Sequence, residues 1–432
     1  MKKILSLVLA VMMLLGVTGI ASAEEKTTVE IYYPVVVSGS VAQLLEELMA
    51  EFEAQNPDID ILPVFAGSYG DVVNKMTNAL QAGTAPQLVI VENDKLYTML
   101  AQDAAYCLDD YIAQEGGEEF LADYYDIYMQ TCCNEGSVYA MPFQRSVLTM
   151  YYNRDMFAEA GLPDRAPATW QEMLEWGAKL TKKDENGNAT CWGVRIGTSG
   201  WACQSMMITA SSNGTLFFSD DGKSVNVVTD AVKNAFQYYL DLGAAGASPP
   251  GIVSEGANAN DFIEEAAGMV YISSGNLANI HNSVDFNYGV GLLPSYDGSF
   301  PGASIGSGGN LFMVKSPNTT QEQYDAAWRL MKFLSSPEVQ GRWAVSTGYI
   351  AACKTALETE AMKSYFEDVP MAKVCYEQLE VGTYKQMTTY ESAQVAGLVT
   401  TAIQSVVTGE KTIDAALNEF QMTADMLLMD FQ

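Results

Sequence analysis

The sequence predicts an α/β fold in which a parallel sheet near the N-terminal end hands over to a second lobe close to residue 145. Three observations predict it. Residues 28–33 (TVEIYY), 59–65 (IDILPVF) and 86–91 (PQLVIV) are rich in β-formers and are separated by two stretches of helical periodicity. Strand–helix–strand–helix–strand order calls for parallel pairing, because each helix returns the chain to the start of the next strand. Residues 141–170 (MPFQRSVLTMYYNRDMFAEAGLPDRAPATW) then run from β-formers through an aromatic, polar corner to a proline-bounded new helix, as expected where one lobe passes the chain to another.

Taken in order, Lys2 and Lys3 precede an apolar run over 4–17 and the triplet Ala21, Ser22, Ala23. This reads as a signal peptide, residues 1–23, cut before Glu24; it is too short and wrongly flanked for a membrane span. No cysteine lies at the cleavage site, so no lipid anchor is evident, and the mature chain is expected to be exported, periplasmic or extracellular. The strand over 28–33 is followed by a loop over 34–40. Val41, Leu44, Leu45, Leu48, Met49 and Phe52 repeat at helical spacing up to Asn56 and Pro57. After the strand over 59–65, Asp71 opens a helix that Gly83 is placed to cap. The run over 86–91 is almost continuously apolar, as when helices cover both faces of a strand. Helices are expected over 170–180, 230–242, 260–267, 324–335, 337–343, 393–407 and 412–427, and strands over 268–273, 288–293 and 312–314.

The formal charge is −30, which excludes nucleic acid and anionic membranes as partners, since both need clustered Lys and Arg. The seven cysteines are irregularly spaced and form no zinc or redox pattern; they read as scattered small hydrophobes with one or two disulfides among them. Nothing around His281, the single histidine, has triad or metal spacing. No metal site or cofactor is predicted.

Several motifs fall in an order that is similar to extracellular solute-binding protein family 1, the receptors of ABC sugar importers. They are FEAQNPDIDILPVFAGSYGD (52–71), LQAGTAPQLVIVEN (80–93), MPFQRSVLTMYYNRDMFAEAGL (141–162), TWQEM (169–173), SSGNLANI (273–280), FNYGVGLLP (286–294), GSGGNLFMV (306–314) and STGYIA (346–351). The set most resembles the sn-glycerol-3-phosphate-binding branch. The resemblance implies a two-lobed periplasmic-binding-protein fold of type II, with the lobes joined by crossing hinge segments. It divides the chain into lobe 1 over 24–140, lobe 2 over 141–272, a return to lobe 1 with a hinge over 273–316, and a final stretch over 317–432 mainly in lobe 2.

Carried over residue by residue, the resemblance places ligand contacts at Tyr69, Ser146, Ser273, Gly308 and Tyr349, with an acidic-site contact at Glu92 or Asn93. The arginine with which that branch meets phosphate is replaced here by Ala396. The residues themselves add Gln144, a hydroxyl partner, and Arg145, whose guanidinium suits a phosphate or carboxylate. Trp192 and Trp201 flank a glycine-rich stretch and offer a stacking wall, while Trp170 reads as structural.

The function expected is a solute-binding receptor that takes a small carbohydrate or glycerol-phosphate-like solute and delivers it to the membrane permease of an ABC importer, acting as a monomer. The rival is an exported carbohydrate-active enzyme with a carboxylate pair. With 53 acidic residues such a pair is always available, so its presence alone decides nothing. No nucleophile elbow or phosphate loop appears, and a surface adhesin would need repeats that the chain lacks.

Overall fold

The computed structural model describes residues 26–34 and 40–432. The leader expected over 1–23 and most of the loop expected over 34–40 lie outside the described residues. Strands and helices alternate through β1 (Thr27–Pro34), α1 (Ser40–Gln55), β2 (Ile59–Gly67), α2 (Tyr69–Ala82) and β3 (Leu88–Glu92). Strand β1 is parallel to both neighbours, with Val29 opposite Ile61 on β2 and Ile31 opposite Leu88 on β3. The apolar run of β3 is accounted for by burial on both faces. Leu88 and Ile90 join the cluster of Val29 and Ile31, whereas Val89 and Val91 join that of Tyr32, Val72 and Met76.

Helix α3 (Leu96–Ala101) follows, and then β4 (Ala140–Ser146) and β5 (Leu148–Asn153). The second lobe gathers α4 (Trp170–Leu180), β6 (Arg195–Ile196), α5 (Gly200–Thr209), α6 (Asp230–Ala244), β7 (Met269–Ser273) and β8 (Tyr288–Gly291). The remaining elements are β9 (Ser304–Met313), α7 (Gln321–Leu334), α8 (Pro337–Thr347), α9 (Ala372–Gly382), β10 (Thr383–Lys385), α10 (Ser392–Val407) and α11 (Ile413–Leu428). One sheet has the order β10-β9-β3-β1-β2 with β4 also on β9, and the other has β6-β7-β5-β8. Strand β9 is antiparallel to β3 and β4, so the first sheet is mixed.

The chain crosses between sheets at Val147, the one residue between β4 and β5, rather than at 141. It leaves the second sheet after β8 and regains the first at Ser304, because β8 pairs with β5. The crossings lie side by side. Ser274 N donates to the Val147 carbonyl at 2.8 Å, Val147 N donates to Ser274 Oγ at 3.3 Å, and Leu148 N donates to Ser304 Oγ at 2.7 Å. All three segments are buried, so these serines supply what water cannot.

The stretch 317–432 divides between the lobes instead of falling mainly in the second. Tyr324, Ala327, Trp328 and Met331 of α7 share the cluster of Val29 and Ile31, and α8 packs on α1. Only α10 and α11 pack with α5 and α6. An amphipathic stripe states that a helix buries one face but not against which sheet. All seven cysteines are free, which replaces the expected one or two disulfides. Trp170 is 2% exposed and structural as predicted.

Ser307, Gly308 and Gly309, whose residue types fit a tight connection and a close backbone approach to a ligand equally, are the middle of β9. Gly308 sits at φ +106°, where a Cβ would lie 1.8 Å from the Gln144 carbonyl oxygen, so only glycine fits. Gly308→Ala is expected to destabilise the fold by about 2 kcal/mol or more, read as a lower urea midpoint. An unchanged midpoint would contradict this account of the β4–β9 crossing.

Candidate functional site

The carboxyl ends of β2 and β3 open onto the space between the lobes, where ligands sit in open α/β sheets. Helix α2 begins there with a capping box. Asp71 N donates to Ser68 Oγ at 3.2 Å, and Ser68 N donates to Asp71 Oδ2 at 2.8 Å. The cap fixes the first helical residue, Tyr69, whose hydroxyl donates to Gln144 Oε1 at 3.2 Å. It also meets the Tyr349 hydroxyl, and burial pushes the pKa of both phenols up, that of Tyr349 to about 12. The ring of Tyr69 lies over Gly309, where a Cβ would sit 2.9 Å from its hydroxyl, and that of Tyr349 lies over Gly275, where a Cβ would sit 3.2 Å from the ring. Half-buried Tyr69 with buried Gln144 and Tyr349 therefore forms one floor of hydroxyls and an amide over glycines that allow close approach.

Glu92 closes the opposite side. Its Oε1 accepts from Trp201 Nε1 on α5, in the other lobe, at 3.2 Å and from Gln386 Nε2 at 3.3 Å. Lys95 Nζ stands 4.0 Å from Oε2 but only 2.8 Å from Asp94. Burial and then the Asp94 charge raise the Glu92 pKa, against Lys95 and the two hydrogen bonds. For Lys95, burial acts downward, but Asp94 and Glu92 outweigh it and the pKa is raised. Its charge is thus spent within lobe 1, apart from a contact of 3.4 Å with Ser392 at the start of α10.

Beside Trp201 a cavity of about 370 Å³ is lined by Glu255, Ala259, Ile272, Ser273 and Asn276. Glu255 accepts from Ala202 N and from Ser199 Oγ, each at 3.3 Å. Burial pushes its pKa up to about 7 against these bonds, with the Glu92 charge adding to the rise. Ser273 Oγ accepts from Gly275 N at 3.1 Å. A larger hollow of about 500 Å³ lies against residues 164–168 and 290–302, with none of the residues at the ends of β2 and β3 in its lining.

A family model described as bacterial extracellular solute-binding protein matches residues 47–370. The chain belongs to this family. It is 27% identical to the sn-glycerol-3-phosphate-binding periplasmic protein UgpB of Shigella dysenteriae, over 97% of this chain and 96% of that one. The Escherichia coli K12 protein of the same name is 26% identical over the same shares. Among solved structures, UgpB of Mycobacterium tuberculosis in complex with glycerophosphocholine superposes with a TM-score of 0.80 at 21% identity, covering 94% of this chain and 99% of that one. The maltose/maltodextrin-binding domain MalE of Bdellovibrio bacteriovorus, bound to maltotriose, gives 0.77 at 22% identity, covering 93% and 100%. The fold is therefore the two-lobed one, and the protein is a solute-binding protein of this family.

The receptor's residues do not all face the cleft. Arg145 is fully buried. It donates to Asn310 Oδ1 at 2.7 Å, to the Gly306 carbonyl at 3.1 Å and to Thr131 Oγ1 at 3.5 Å, and its guanidinium lies 4.5 Å from the centre of the Tyr128 ring. It braces the back of β9 and is not available to a solute's phosphate or carboxylate. Asn93 also turns inward, its Nδ2 donating to the Gly306 carbonyl at 3.0 Å, which leaves Glu92 as the one facing the cleft. Ser146 is spent at the crossing, its Oγ 3.0 Å from Ser307 Oγ. Gly308 shapes the floor. Trp201 reaches the cleft, whereas Trp192 bridges to Ala267. Glu255 and Gln386 carry no sequence signal because each sits in a separate stretch with no motif around it, whereas Asn276 lies within SSGNLANI (273–280), where the resemblance points to Ser273 alone.

Two outcomes follow from this geometry. Arg145→Met is expected to cost about 3 kcal/mol in denaturant unfolding, because Asn310 and Gly306 lose a buried partner; a loss below about 0.5 kcal/mol would place Arg145 at the surface. A carboxyl titrating near 7 instead of its ordinary 4.5 penalises the folded state as pH rises through that window. The stability advantage of Glu255→Gln over the parent is therefore expected to grow from pH 4.5 to 7, towards on the order of 3 kcal/mol. A gap that stays flat with pH would show that Glu255 is not desolvated.

Proposed function

We propose that this receptor captures a small, hydroxyl-rich solute without a phosphate group in the interlobe cleft and delivers it to the permease of an ABC importer. The observation that carries the reading is the charge of the cleft. Two carboxylates, Glu92 and Glu255, face it, and none of the described residues lining the cavity beside Trp201 is cationic. A phosphate offers acceptors and negative charge, and here it would find no cation in the lining and would repel Glu92 and Glu255 in their ionised forms. The cations Lys95 and Arg145 support the same reading, since Lys95 is held by Asp94 and Arg145 by Asn310 and Gly306, while Lys385 donates to the Asp220 carbonyl. Ala396, which replaces the arginine of the glycerol-phosphate branch, packs in the apolar cluster of the second lobe.

Hydroxyl groups of a sugar or polyol suit the floor of Tyr69, Gln144 and Tyr349 and the acceptors Glu92 and Asn276, with Trp201 as an apolar wall. The contact between Trp201 and Glu92 supports a trap in which the lobes close over the solute, so that the permease meets the closed, loaded form. The acidic charge supports a monomer that binds no nucleic acid, and residues 1–23 support export by a cleaved signal peptide without a lipid anchor. A second reading, glycoside hydrolysis, is favoured by one observation, that Glu255 titrates near 7 while facing a second carboxylate.

Thermal-shift and calorimetric titration of the mature chain separate these readings. Neutral sugars or polyols at a hundredfold excess over Kd are expected to stabilise the protein by about 3 kcal/mol, with ligand recovered intact. Trp201→Ala is expected to weaken binding by about tenfold or more. Equal or better stabilisation by sn-glycerol 3-phosphate would overturn the exclusion of phosphate, and turnover of a stabilising sugar would favour the enzyme.

A further inference from the structure

Resting on the proposed trap, we infer that Tyr97 latches the closed lobes from outside the solute cavity, so that solute affinity depends on a residue that touches no solute. Tyr97 lies on α3, whose Leu96 and Met99 belong to the lobe 1 cluster of Tyr32 and Val72. Opposite it is the turn 219–224 of lobe 2, flanked by Phe218 and Val225, which share the cluster of Tyr152 and Trp170. The turn is braced within itself. Ser219 N donates to the Ser224 carbonyl at 3.0 Å, and Gly222 N donates to the Ser219 carbonyl at 3.1 Å. Across the lobes, Tyr97 Oη donates to the Asp220 carbonyl at 3.0 Å, and Lys385 Nζ donates to the same oxygen at 3.1 Å. Gly222, at φ +69°, lets the turn lie against the Tyr97 ring, which an added Cβ would overlap. Tyr390, packed on the second lobe, completes the contact. Its N donates to the Gly222 carbonyl at 3.0 Å, and its ring lies between those of Tyr97, 4.6 Å away, and Phe431, 4.3 Å away.

None of these residues lines the cavity beside Trp201; Tyr97, Lys385 and Tyr390 line a separate hollow of about 600 Å³. Tyr97 is 3% exposed, and burial above all pushes its phenol up to about 12, which keeps the hydrogen on the Asp220 carbonyl. A buried hydroxyl whose partner belongs to the other lobe makes a bond on closure and exchanges it for water on opening. The aromatic faces add apolar area that the closed form buries. The latch also governs the grip on the solute. Glu92, Lys95, Tyr97 and Thr98 occupy one short segment of lobe 1, and each meets lobe 2. Glu92 does so at Trp201, and Lys95 and Thr98 do so at Ser392 of α10, at 3.4 and 3.3 Å. Opening at Tyr97 therefore withdraws Glu92 from Trp201, and Tyr97 is a positioning residue for that pair. Free energy that favours closure without the solute raises the solute's affinity until closure is complete.

Small-angle X-ray scattering of the mature chain, with no solute added, tests this. The parent is expected to scatter as the arrangement described above. Tyr97→Ala is expected to raise the radius of gyration by about 2% or more over the roughly 22 Å of a compact chain this long, with far-UV circular dichroism unchanged. Gly222→Ala is expected to do the same. The two together are expected to give no more than either alone, because the truncated ring leaves room for the added Cβ and only one latch is there to lose. Tyr97→Phe keeps the ring and removes only the hydroxyl, so it is expected to give a smaller rise, and it serves if the alanine variants fold poorly. Variants that all scatter as the parent does overturn the latch. So do effects of Tyr97→Ala and Gly222→Ala that add, or a parent already more extended than this structure. A chain that binds a sugar intact while its variants scatter alike keeps the receptor reading and overturns this one. Turnover of the sugar beside the expected expansion overturns the receptor reading instead.

Discussion

Two sheets in this receptor share a buried waist, and the rest of the molecule depends on satisfying the backbone there. Val147, Ser274 and Ser304 meet where water does not enter, and serine hydroxyls accept from the peptide groups that leave one sheet before joining the next. A purely apolar waist would strand those groups at a cost of about 1–3 kcal/mol each. Behind the waist, Arg145 ties β4 to β9 through Asn310 and Gly306. In front of it, Gly308 and Gly309 let the Gln144 carbonyl and the Tyr69 ring come close. The same crossing therefore sets both the hinge and the floor of the cleft.

Charge in the molecule is distributed with a purpose that the total of −30 does not convey. Lys95 is paired with Asp94 and Arg145 is turned away from the cleft, while Glu92 and Glu255 remain on its walls. Relatives named for binding sn-glycerol 3-phosphate share the chain's length and order, at about a quarter identity. Conserving the fold while exchanging the ionic lining changes which solute a trap accepts, because specificity is the difference between one partner's affinity and another's.

Much of this was legible in the sequence, and the limits have physical reasons. The alternation of strands and helices, the Gly83 cap and the placing of Tyr69 and Glu92 at strand ends follow from local rules that the structure obeys. Arg145 departs from its expected place beside Gln144 and Ser146 because successive strand residues point to opposite faces. The register shift in β9 between Gly309 and Asn310 complicates that alternation further. The glycine-rich centre of β9 is ambiguous in sequence because residues small enough for close approach are also turn residues. Gln386 meets Glu92 across 294 residues and Glu255 meets Ala202, beside Trp201, across 53, tertiary packing that no local pattern encodes.

The central claim is that the solute is gripped between Glu92 of one lobe and Trp201 of the other, in a site that offers it acceptors. A crystal structure of the receptor with whichever sugar or polyol stabilises it tests this most directly. The account predicts the solute within hydrogen-bond distance of Glu92, packed on Trp201, with Arg145 still bound to Asn310 and Gly306. A solute seated against residues 164–168 and 290–302, or an Arg145 side chain turned out to meet it, would contradict the account.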